Sequence, residues 1–161
     1  MSSDPIDVLV AGSLHLDIVV EGSAIPAVDE TARGSSWKMV CGGKGGNQAC
    51  WAAKLGARTA MIGRVGRDDF GDRLRANLRS CGVIADAVSV DPAVRSGMSV
   101  AIIDNSGDYG AVIVSGSNLA INADEALHAL DLLGAPKILV LQNGIEEAVN
   151  LAVAKRARAM G

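Results

Sequence analysis

The chain has 161 residues, 49% of them hydrophobic and 20% charged. That is the composition of one globular domain, long enough to bury roughly 70% of its unfolded surface, and it excludes disorder. A formal net charge of −3 and an aromatic content of only 2% exclude a phosphate-backbone footprint and a base-stacking surface, so no nucleic-acid partner is expected.

The core has to be built from Ala, Val, Ile and Leu. No apolar run reaches the ~18 residues of a membrane span, so no membrane association is expected. The segment MSSDPIDVLV has no basic region and carries Asp4 and Asp7, so no secretory leader is expected. Cys41, Cys50 and Cys81 are an odd number without a close pair, which reads as reduced thiols of a cytoplasmic protein. His15 and His128 are too few and too far apart for a zinc site.

In chain order, residues 6–11 are a short apolar run between Pro5 and Gly12 and predict a buried strand. Short runs at 17–20 and 37–41 predict two more. A glycine-rich segment then leads into a helix over 47–55, stopped by Gly56. A strand at 59–65 and a helix at 69–80 behind Asp68 follow. The middle of the chain changes to the strand period over 85–90, 97–103 and 109–114, with a turn at 104–108. A helix over 122–133 starting at Asn122, a strand at 137–141 and a helix over 145–160 complete the order. Alternating strands and helices at the two ends predict an α/β fold with a parallel sheet and crossover helices. The strands between them predict a small separate sheet. A parallel sheet of three or four strands with an exposed edge is small, so the chain is expected to be the front part of something longer.

Gly42-Gly43-Lys44-Gly45-Gly46-Asn47 is the most informative stretch. Its glycines let backbone come close to a ligand, and a helix starting there points free N–H groups forward. A Walker A loop fails on spacing, because Lys38 stands where its first glycine belongs and Gly45 follows the lysine. A dinucleotide-binding GxGxxG fails because Gln48 takes the third glycine position. By itself the stretch is either a ligand cradle or a tight strand-to-helix turn. A second polar cluster, Gly12-Ser13-Leu14-His15-Leu16-Asp17, follows the first strand. Ligands of open α/β sheets bind there. Asp17 either accepts hydrogen bonds from adjacent hydroxyls of a polyol or caps a turn, and His15 is a rim group or a ligand contact. Ser115-Gly116-Ser117-Asn118 and Gln142-Asn143-Gly144 close two other strands with small polar residues.

These residues resemble the ribokinase-like (PfkB) carbohydrate kinases, in particular the N-terminal half of a ribokinase-type enzyme. The family's first signature is Gly-Gly-x-Gly-x-Asn-x-Ala, six residues, Gly, nine residues, Gly. Here it reads Gly42-Gly43-Lys44-Gly45-Gly46-Asn47-Gln48-Ala49, then Gly56, then Gly66. The match extends to Gly12-Ser13 with Asp17, to Gly66-Arg67-Asp68-Asp69-Phe70-Gly71, to Ser96-Gly97 and to Gly116 with Asn118.

The resemblance implies a Rossmann-type three-layer α/β core, with residues 1–161 forming the N-terminal part of one domain. It implies a small β-sheet lid from strands near 17–20, 37–41, 97–103 and 109–114, which covers the sugar, excludes water and makes a homodimer. It implies ATP-dependent phosphorylation of a sugar hydroxyl in the cytoplasm. ATP and Mg²⁺ would be the cofactors of the complete enzyme, with a monovalent cation as a further option. Asp17 is similar to the family carboxylate that holds sugar hydroxyls, and Gly43, Lys44, Gly45, Gly46 and Asn47 to its sugar-contacting loop. His15 stands where ribokinases usually carry Asn, and Asn143 where they carry an acidic sugar contact, which alters hydrogen-bond capacity near the ligand. No catalytic residue is expected here. The family's Asp-Thr-x-Gly-Ala-Gly-Asp signature, with its anion hole and aspartate base, is absent from residues 1–161, and the resemblance implies that its nucleotide pocket and its Asn-x-x-Glu magnesium motif lie downstream. Two rivals stay open: a non-catalytic sugar-binding or dimerisation module, and a nucleoside kinase of the same family.

Overall fold

The computed structural model describes residues 5–22 and 24–161. Four strands form a parallel sheet: β1 (Val8–Ala11), β4 (Thr59–Gly66), β5 (Val88–Asp91) and β8 (Ile138–Leu141), in the order β5-β4-β1-β8. Val8 pairs with Thr59 on one side of β1 and with Ile138 on the other. Four helices flank the sheet: α1 (Lys44–Lys54), α2 (Asp69–Ser80), α3 (Ala123–Leu133) and α4 (Glu147–Ala159).

Strand alternation decides which residues meet which helices. Val10 and Met61 point to one face, where they pack with Ala49 of α1 and Leu74 and Leu78 of α2. Leu9, Ala11, Ala60 and Ile62 point to the other, where they pack with Ala126 and Leu130 of α3 and Val149 and Val153 of α4. Helices on both faces of a parallel sheet make a three-layer α/β core, with β1 and most of β4 buried on both sides and the edge strand β8 partly exposed. The expected fold class is therefore the observed one.

The remaining strands form a second sheet: β2 (His15–Gly22), β3 (Gly34–Gly42), β6 (Met98–Ile103) and β7 (Tyr109–Val114), in the order β3-β2-β6-β7. β2 with β3 and β6 with β7 pair antiparallel, while β2 and β6 run parallel. The turn joining β6 to β7 is held by the Asp104 carboxylate, which accepts from the Ser106 and Asp108 amides.

Helix starts follow local chemistry. Asp68 caps α2 by accepting from the Gly71 amide, and Asn122 caps α3 by accepting from the Glu125 amide. Several expected boundaries move: the strands expected at 17–20 and 37–41 extend over His15–Gly22 and Gly34–Gly42. The strand expected at 85–90 lies at Val88–Asp91, because residues 85–88 close a turn in which the Val88 amide donates to the Ala85 carbonyl. The first helix begins at Lys44 instead of Asn47, because the loop glycines themselves enter the helix.

Candidate functional site

Three segments converge where β1 ends and the second sheet begins. The first is Gly12-Ser13-Leu14, which leads from β1 into β2. Its backbone is gripped by Asn118, which lies in a 3₁₀ turn at Gly116–Leu119 and is fully buried. The Asn118 amide oxygen accepts from the Leu14 N–H, and its amide nitrogen donates to the Leu14 and Ser115 carbonyls, each at 2.8 Å. The second segment is the start of α1. Gly43 precedes the helix at φ 86°, a left-handed conformation that favours glycine. A Cβ there would also come within 2.7 Å of the Ser13 carbonyl oxygen and the His15 nitrogen. The third is Gln142-Asn143-Gly144 after β8. Gln142 Oε1 accepts from the Ser13 amide at 3.1 Å and from the Ser13 hydroxyl at 2.8 Å, which ties the end of β8 to the end of β1.

These segments floor a cavity of about 530 Å³. Its polar wall carries Ser13, His15, Asp17, Lys44, Asn47 and Asn143. Its roof is one face of the second sheet, where Ser99, Ala101 and Ile103 of β6 lie beside Ala111 and Ile113 of β7. The floor lies at the carboxyl ends of β1 and β8, the usual ligand position in open α/β sheets.

Asp17 reaches the cavity from β2, two residues after His15 on the same face. Its Oδ1 accepts from the Ser99 hydroxyl at 2.6 Å, across the parallel pairing of β2 with β6. Ser99 is the hydrogen-bond partner of Asp17 among the described residues, and the carboxylate keeps acceptor capacity for ligand hydroxyls. The carboxylate leans over Gly42, where a Cβ would lie 2.1 Å from Oδ2. Burial lowers the His15 pKa from its ordinary value, against the opposing pull of the Asp17 charge. His15 Nε2 is buried without a partner among the described residues.

Opposite Asp17, α1 opens with no side-chain cap and no acidic residue in its first turn. Its positive end and the Lys44 ammonium therefore share one wall of the cavity. A carboxylate, an ammonium and two carboxamides around one cavity can accept from and donate to several hydroxyls of a polyol at once.

A model of the pfkB family of carbohydrate kinases matches residues 6–161. The chain belongs to that family. Among characterised relatives, it is 37% identical to a ribokinase of Bacillus subtilis over 141 residues, covering 88% of this chain and 48% of the relative. It is 32% identical to a deoxyribokinase of Salmonella typhi, covering 84% of this chain and 44% of the relative. Among solved structures, ribokinase of Arabidopsis thaliana complexed with ribose and ATP superposes with a TM-score of 0.87 at 31% identity. That match covers 98% of this chain and 52% of the Arabidopsis chain. The chain thus spans about half the length of the relatives it matches.

Of the eight residues that the sequence singles out in this carbohydrate kinase family member, six line the cavity: His15, Asp17, Gly43, Lys44, Asn47 and Asn143. Gly45 and Gly46 are not among its lining residues. Both are buried against the β1–β2 connection, where a Cβ on Gly45 would lie 2.7 Å from the Gly12 carbonyl carbon and one on Gly46 would lie 2.8 Å from Leu14. They seat the helix against the β1–β2 connection. The lining also includes Ser13, Ser99, Gln142 and Gly144, which the sequence did not single out individually. Ser99 carried a signal, as a polar residue inside the apolar run 97–103.

Asp68 lies apart from this cavity. Burial pushes its carboxyl up, but hydrogen bonds from the Ser96 hydroxyl and amide and from the Gly71 amide outweigh that and hold it below its ordinary value. Its work is to fasten the start of α2 to the loop before β6.

Proposed function

We propose that residues 1–161 are the acceptor-sugar side of an ATP-dependent carbohydrate kinase of ribokinase type. The observation that carries this reading is the convergence of Asp17 from β2, Lys44 and Asn47 from α1, and Asn143 after β8, on one cavity at the carboxyl ends of the parallel strands. In this reading Asp17 accepts from two adjacent sugar hydroxyls and Ser99 holds the carboxylate in place. Lys44, Asn47 and the positive end of α1 donate to sugar oxygens. His15 and Asn143 set which hydroxyl pattern is accepted. The ribokinase and deoxyribokinase relatives support a pentose as the acceptor, and the scarcity of aromatics favours a simple sugar over a nucleoside.

The second sheet is read as a lid over the sugar, and the exposed apolar side chains of its other face, Val112 and Val114 among them, as the surface of a homodimer in the cytoplasm. The ATP-bound Arabidopsis relative supports ATP as the phosphoryl donor. The base, the anion hole and the nucleotide pocket are assigned to enzyme outside residues 1–161. Phosphoryl transfer rests on positioning and charge stabilisation by such groups, so this part alone is expected to be inactive. Among the described residues no cluster of three His, Cys, Asp or Glu side chains is arranged to hold a metal. Mg²⁺ and any monovalent cation are assigned, with the nucleotide, to enzyme outside residues 1–161.

The test is ADP release by the full-length protein with ATP and a panel of pentoses and hexoses. Sugar-dependent ADP formation is expected, with the sugar KM raised ~10–100-fold in Asp17→Asn through loss of charge-assisted hydrogen bonds. Sugar binding without ADP formation would replace this reading with a binding module.

A further inference from the structure

Three thiols unused by the sugar site meet behind α1. Cys41 lies near the end of β3, Cys50 within α1, and Cys81 directly after α2. α2 gathers them. The Cys41 thiol donates to the Arg73 carbonyl at 3.7 Å, and the Asn77 amide donates to Cys50 Sγ at 3.7 Å. Arg73, Asn77 and Cys81 recur at four-residue steps, so they follow one face of α2. The Cys81 thiol neighbours the Cys50 thiol, and all three cysteines belong to one apolar cluster. Cys50 is buried, while Cys41 and Cys81 are half-buried. Burial and the neighbouring Cys81 thiol push the Cys50 thiol up to about 12. Burial likewise raises Cys41. The three sulfurs are not arranged as metal ligands, and Cys50 with Cys81 is the pair of neighbouring thiols that faces α2.

We propose that Cys50 and Cys81 form a reversible dithiol–disulfide site, oxidised by a low-molecular-weight disulfide. Cys81 is the more accessible partner, half-buried where Cys50 is buried, and it stands at the end of α2 directly before Gly82. Its thiolate attacks one sulfur of the oxidant, forming a mixed disulfide and releasing one thiol. Cys50 then loses its proton and attacks the Cys81 sulfur, expelling the second thiol. Two protein thiols are oxidised, and one external disulfide is reduced to two thiols that carry the two protons away. The high pKa of Cys50 makes the second step slow at neutral pH and faster as pH rises.

The experiment incubates the folded full-length protein with oxidised glutathione at neutral and at mildly alkaline pH, quenches it with acid, alkylates it and maps the peptides. The expected product is a Cys50–Cys81 linked peptide pair lacking two hydrogens, formed faster at the higher pH. Cys41→Ser keeps the link, and Cys50→Ser stops at a glutathione adduct on Cys81. An adduct on Cys81 that never resolves in the unsubstituted protein would overturn the proposal. So would a link to Cys41, or three thiols that all stay free in a sample whose circular dichroism shows it folded.

Discussion

In the parallel sheet, Leu9, Ala60 and Met61 are fully buried, whereas in the second sheet Tyr109, Val112 and Ile113 are 67%, 69% and 63% exposed. Both sheets have four strands and apolar sequences. The difference lies in what covers them. The parallel sheet has a helical layer on each face, so its strands are fixed by packing. The second sheet has no layer of its own. It is joined to the core by chain connections, by the Asn118 clamp and by the roofed cavity. The floor of the site is therefore set by the core, while the roof is held by a few hydrogen bonds and by whatever occupies or covers it.

Substitutions on the two sheets break this comparison most sharply. Leu9→Ala is expected to cost about 2–5 kcal/mol in urea unfolding at any protein concentration, because it leaves a cavity between two packed layers. Val112→Ser is expected to change monomer unfolding by less than about 0.5 kcal/mol. Its effect should appear instead as weaker self-association in sedimentation. Equal losses of stability at the two positions would mean that the second sheet is packed like the first.

Asn118→Ala tests the joint between them. Three hydrogen bonds disappear, two of them buried, and the Leu14 amide and carbonyl lose their partner. A loss of about 1–3 kcal/mol is expected. Faster amide exchange should be confined to the β1–β2 connection and the neighbouring ends of β2 and β6, and exchange throughout the parallel sheet would contradict the clamp.

The smallest effect concerns pH. The folded pKa of His15 lies below its ordinary value of 6.5 because burial disfavours the imidazolium. The unfolded chain therefore binds this proton more readily than the folded one. The stability contribution is full above 6.5 and declines as pH falls below it towards the folded pKa. His15→Gln should flatten that part of the stability profile, and an unchanged profile would show that His15 does not titrate as described.

Much of this was legible in the residues. Period-two alternation and capping residues such as Asp68 and Asn122 located most strands and helices. The glycine signature with Asp17 pointed to the wall of the cavity. The parallel pairing of β2 with β6 was not legible, because residues 82 apart are brought together by the whole fold and not by a local turn. Without that pairing Ser99 had no partner, and its bond to Asp17 was invisible. The close seat of Gly45 and Gly46 on Gly12–Leu14 was not legible either, because a glycine's sequence signal is the same whether backbone approaches a ligand or another part of the chain. Gln142 looked like one more loop residue until its double bond to Ser13 showed it joining two strand ends.

The central claim is that Asp17 anchors a sugar on the floor of this cavity. Calorimetric titration of D-ribose and related pentoses into the full-length protein and into Asp17→Asn tests it most directly. The account predicts saturable binding of at least one pentose, weakened ~10–100-fold by the substitution, with the unfolding midpoint little changed. Equal affinity in the two proteins would contradict it.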